Sequence, residues 1–111
     1  MIVMTHAAPV DWNVDGSEQF HFVTTGVLDA VALASSIAGD RVTALAAGTI
    51  AGQVLDAGLL DIVAIDLAPV VLGSGRRYFG DRDLSTAVLG DATEVIAAPR
   101  VTHLTYPVLD R

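Results

Sequence analysis

The stretch GLLDIVAIDLAPVVLGSGRRYF, residues 58–79, sets a long apolar segment between two glycine punctuation points. Gly58 suits the end of a preceding helix, and Leu59 to Val71 form an apolar run broken only by Asp61, Asp66 and Pro69. A run of this kind reads as a strand, and a proline near its far end points to a twist or a sheet edge. Gly73-Ser74-Gly75 then gives a tight turn, Arg76 and Arg77 a solvated basic corner, and Tyr78-Phe79 an aromatic pair packed beneath it. Asp61 and Asp66 stand an odd number of residues apart, so on one strand they would face opposite sides.

Upstream, residues 1–5 read as a short apolar strand, and residues 7–19 (AAPVDWNVDGSEQ) as a loop rich in Pro, Asn, Asp and Gly. His21-Phe-Val-Thr alternates like a brief strand. Thr25 can cap a helix from about Val27 to Ala38, with Val27, Ala30, Val31, Ala34 and Ile37 on one stripe and Gly39-Asp40 at its end. Val42 to Ala46 reads as the next strand, and a second helix follows Gly48-Thr49 to about Ala57. Downstream, Ser85 to Ala98 and Val101 to Val108 read as antiparallel strands joined at Ala98-Pro99-Arg100. The expected fold is α/β, a mixed parallel and antiparallel sheet with flanking helices. Two helices cover a six-stranded sheet poorly, so an exposed face is expected to meet a second copy or a further half.

The chain has 111 residues, enough for one domain, and 52% of them are hydrophobic, which excludes a disordered chain. The apolar runs stop well short of ~18 residues, and residues 1–4 lack a signal-peptide pattern. No cysteine is present, so disulfides and thiolate metal sites are excluded and a reducing cytoplasm is allowed. Six basic and thirteen acidic residues give a net charge of −7. Such a chain repels nucleic acid and anionic lipid, but helix-terminal N–H groups can still hold a phosphorylated small molecule.

Three groups of residues could carry chemistry. The small residues Ala46, Ala47 and Gly48, followed by Thr49 and Ile50 at a helix start, would let a phosphate approach the backbone, although tight strand–helix packing selects the same residues. Thr5 and His6 close the first strand and could meet an anionic, sugar-bearing ligand, or stand at the surface. Thr24 and Thr25 border the turn before the first helix. The three histidines show no metal-ligand spacing, so no metal site is expected, and His103 reads as a hydrogen-bonded structural residue in an alternating strand. Neither a Gly-x-Ser-x-Gly elbow nor a cysteine nucleophile is present, so the catalytic residues are unknown.

Taken together, GLLDIVAIDLAPVVLGSGRRYF, VMTHAAPVDW, FVTTG, AAGTIAGQ and THLTYPV resemble the dihydrofolate reductase-like family, most closely the reductase domain of bifunctional riboflavin-biosynthesis deaminase/reductases. The likeness runs over essentially the whole chain and matches the C-terminal part of that domain, with the family's N-terminal strands lacking a counterpart. It implies NADPH-dependent reduction of a ribosylated pyrimidine or a pterin-like ring. It also implies that Ala46, Ala47, Gly48, Thr49 and Ile50 hold the cofactor pyrophosphate, Thr5 and His6 the adenosine ribose and its phosphate, and Thr24 and Thr25 the adenine end. The paired glycines usual in the phosphate turn are here Ala46-Ala47, with Gly48 one step later. A nucleotide-binding remnant and an oligomeric interaction module are the alternatives to an active reductase. The expected partners are the cofactor, a small-molecule substrate and either a second copy or an N-terminal half.

Overall fold

The computed structural model describes residues 1–12 and 15–109, which fall into two compact units, Met1–Ala46 and Ala47–Arg111. In the first unit, β1 (Ile2–Met4) pairs in parallel with β2 (His21–Val23), Met4 lying opposite Val23. The loop between them contains a 3-10 turn, Ser17–Gln19. Trp12 meets Phe20 and Phe22 edge-on, each at a ring separation of 5.4 Å. This cluster ties the loop to β2 through the offset geometry that aromatic quadrupoles favour.

α1 (Val27–Ala38) follows, and its apolar stripe places Ala30 in the core while the helix lies on β1. Its cap differs from the expected Thr25. Gly26 holds that position at φ 115° and makes no side-chain cap bond. A positive φ favours a residue without Cβ, so the glycine takes the turn that a capping threonine would have taken. At the other end the Arg41 guanidinium donates to the carbonyls of Ile37 and Ala38, a cation placed on the last turn of the helix.

The strand expected at Val42 to Ala46 is absent. These residues form no ladder and are all exposed, Val42 to 91%. An apolar run becomes a strand only when a neighbour accepts its N–H and C=O groups, and the described residues supply none there.

The second unit opens with α2 (Thr49–Asp56), whose Ala51, Gly52, Val54 and Leu55 form a buried face. Gly58 at φ 72° closes it, with the Gly58 and Leu59 N–H groups donating to the Leu55 and Val54 carbonyls. β3 (Ile62–Leu67), β4 (Glu94–Ala98) and β5 (Val101–Pro107) make an antiparallel sheet in the order β3-β5-β4. β3 is shorter than the apolar run that contains it. It stops before Pro69, which has no N–H to donate to a ladder. β4 starts at Glu94 rather than Ser85, because residues 85–93 contribute only one isolated bridge, Leu89 with Val108. The β4–β5 hairpin turns at Pro99-Arg100, where Arg100 takes φ 61°.

The architecture is thus α/β, with a parallel pair, an antiparallel sheet and two helices. The strands form separate two- and three-stranded sheets rather than the expected six-stranded one. Among the described residues only Val23, Ala30, Ala51, Val54, Leu55 and Val63 are buried hydrophobics.

Candidate functional site

The start of α2 is built by the segment that follows the basic corner. The Gly48 N–H donates to the Tyr78 carbonyl at 2.6 Å, and the Tyr78 hydroxyl donates to the Ala64 carbonyl of β3 at 2.6 Å. The Tyr78 and Phe79 rings stack edge-on at 4.9 Å. Gly80, at φ 78°, lies so close to α2 that a Cβ there would stand 2.8 Å from the Thr49 Cα. Gly52 faces the Phe79 carbonyl oxygen, 2.2 Å from where its own Cβ would be. The glycines on both sides allow backbone to lie on backbone, and this fixes the first turn of the helix. Of GSGRRYF, Tyr78 and Phe79 take part in these contacts, whereas a Cβ at Gly73 or Gly75 would meet open space.

The helix ladder begins with the Gly52 N–H donating to the Gly48 carbonyl at 3.0 Å. The N–H groups of Thr49 and Ile50 precede it and have no acceptor one turn back. Both residues are exposed, and the space where a Gly48 side chain would project is open. Backbone donors at an open helix start fit an anion such as a pyrophosphate. Gly48 has φ 117° and its N–H is committed to Tyr78, so it shapes the approach and donates nothing to a ligand. Ala47 is exposed in the turn before the helix, and Ala46 is the last residue of the first unit.

In the first unit the parallel register brings four expected residues to one end. Met4 lies opposite Val23, so Thr5 and Thr24 follow at the carboxyl ends of β1 and β2, with His6 and Thr25 next to them. The Thr5 N–H donates to the Val23 carbonyl at 3.1 Å and its hydroxyl to the Ala7 carbonyl at 3.0 Å. With its proton directed to Ala7, the Thr5 oxygen can serve a ligand only as an acceptor. His6, Thr24 and Thr25 are exposed beside the start of α1. Ligands of parallel α/β sheets gather at such carboxyl ends.

Sequence reasoning missed one pair. Asp66 on β3 lies opposite His103 on β5, and His103 Nδ1 is 2.6 Å from Asp66 Oδ1, with the ring N–H donating to the carboxylate. The partner expected for neither residue comes from the strand register, which is set by pairing across 37 positions. His103 thereby gains the hydrogen bond expected of a structural histidine. The side chains are 42% and 74% exposed, so water screens the pair. Asp66→Asn is expected to cost less than about 1 kcal/mol in thermal or urea unfolding. Among the described residues no group of three or more His, Asp or Glu could hold a metal ion. No described helix is long and apolar enough to cross a membrane.

The family model of the RibD C-terminal domain matches residues 3–103, nearly the whole chain. None of the curated proteins matches it.

Proposed function

The chain belongs to the RibD C-terminal domain family, the reductase-like domain of riboflavin biosynthesis, and from that premise we propose that it binds NADPH as part of an NADPH-dependent reductase. The observation that carries the reading is the open start of α2, where Thr49 and Ile50 present backbone N–H groups beside the unobstructed Gly48. On this reading Thr49 and Ile50 hold the pyrophosphate, with Ala46, Ala47 and Gly48 keeping the approach clear of side chains. In the first unit, taken by itself, Thr5 and His6 form a half-site suited to an adenosine ribose and its phosphate, with Thr24 and Thr25 at the adenine end. The bound cofactor would supply the hydride, and these residues would bind and orient it. The substrate class is a ribosylated pyrimidine or a pterin-like ring, and the place of work is a reducing cytoplasm, which a chain without cysteine allows.

The test is a titration of the purified chain with NADPH, read by nicotinamide fluorescence and by thermal shift. Binding at about micromolar Kd with a rise in melting temperature is expected. Absence of both signals at millimolar NADPH would remove the reading.

A second reading, an interaction module without cofactor, draws on one observation. Val70, Val71 and Leu72 are 59%, 96% and 78% exposed in sequence order, an apolar run of the kind that marks contact surfaces. It predicts self-association, or association with an N-terminal half, whether or not NADPH is present. Sedimentation with and without the cofactor separates the two readings.

A further inference from the structure

We propose that Tyr78 is a positioning residue for the phosphate-binding end of α2, an inference that rests on the cofactor reading above. Tyr78 bonds both to β3 and to the residue that starts α2. Its hydroxyl donates to the Ala64 carbonyl of β3 at 2.6 Å, and its own carbonyl accepts the Gly48 N–H at 2.6 Å.

The Ala64 acceptor is well suited as an anchor. Val63 and Ile65 face Tyr106 and Leu104 on β5, and the sheet order leaves β3 at an edge. On an antiparallel edge strand alternate residues turn their backbone groups outward. The Val108 N–H donates to the Asp61 carbonyl, which makes Asp61, Val63 and Ile65 the inward set and leaves the Ala64 carbonyl on the outer edge. Tyr78 occupies that carbonyl, so the turn that follows hangs from a fixed point on the sheet.

From the anchor the geometry passes to α2 by close backbone contact. With Tyr78 held, its carbonyl fixes the Gly48 amide, and Phe79 and Gly80 lie directly against Gly52 and Thr49. The directions of the Thr49 and Ile50 N–H groups then follow from where the helix starts. Losing the hydroxyl leaves the Tyr78–Phe79 ring contact in place, so the fold persists while the first turn loses its stop.

The experiment compares wild type with Tyr78→Phe in the full chain. Two ligands are titrated: NADPH, and adenosine 2′-monophosphate, which lacks the pyrophosphate. Gly48 amide exchange is followed by NMR in the absence of ligand. The expected result is NADPH affinity weaker by about 3- to 10-fold, the loss of one partly exposed hydrogen bond. Adenosine 2′-monophosphate affinity should be unchanged, and the Gly48 amide should exchange faster. Equal weakening of both ligands would reduce Tyr78 to a general structural role and overturn the inference. So would unchanged NADPH affinity, or unchanged Gly48 exchange. Failure of wild type to bind NADPH would instead overturn the cofactor reading, and the inference with it.

Discussion

Gly52→Ala is expected to destabilise the Ala47–Arg111 unit by about 3 kcal/mol, the upper part of the range for overpacking a close contact, and to lower its melting temperature by about 12 to 24 °C. The added Cβ would stand 2.2 Å from the Phe79 carbonyl oxygen and 3.5 Å from the Leu84 side chain. Leu84 can rotate away, but the Phe79 oxygen belongs to the backbone and its neighbour Tyr78 is tied to both Gly48 and Ala64. Relief therefore requires the whole 78–80 turn to lift from α2. Alanine is otherwise the better helix former, so simple propensity predicts the opposite sign, a gain of about 1 kcal/mol. Thermal unfolding followed by far-ultraviolet circular dichroism decides between them. A variant as stable as wild type would show that the turn does not lie on the helix as described.

Gly48→Val is expected to abolish NADPH binding, a loss of at least about a hundredfold in Kd. Gly48 sits at φ 117° and ψ −155°, a conformation open to glycine and strained for any residue with a Cβ, most of all a β-branched one. Restoring ordinary angles would rotate the Gly48 N–H away from Tyr78 and re-aim the first turn of α2. A retained strained backbone would instead put the valine side chain into the open space through which a phosphate must come. Either outcome closes the site. Calorimetric titration measures it, with circular dichroism to establish that the helices persist. Unchanged affinity in a folded variant would sink the proposed phosphate site.

The sequence carried some of these features openly and hid others for physical reasons. The stripe Val27, Ala30, Val31, Ala34, Ile37 located α1 because helix burial leaves a periodic trace, and Gly39 marked its end. Its start was harder to read, since Thr25 and Gly26 are both acceptable caps and only the backbone angle chooses between them. The β4–β5 hairpin was legible from the turn at Pro99-Arg100 between two strand-like runs, although the first run begins at Glu94 and not at Ser85. Val42 to Ala46 misled, because β propensity reports a preference for a pleated surface and says nothing of whether a partner strand is present. The candidate site divides in the same way. The small residues before α2 announced a close backbone approach, but they could not show that the Gly48 N–H is already committed to Tyr78. Nor could spacing reveal that Asp66 and His103 face each other, because register is a property of the paired strands.

The central claim is that Thr49 and Ile50 present their N–H groups to the cofactor pyrophosphate. Amide chemical shifts of the full chain, recorded by NMR as NADPH is added, test it residue by residue. Saturable shifts at Thr49 and Ile50 that track a single Kd and vanish in Gly48→Val are expected. Saturable NADPH binding that leaves both of these amides unmoved would contradict the claim.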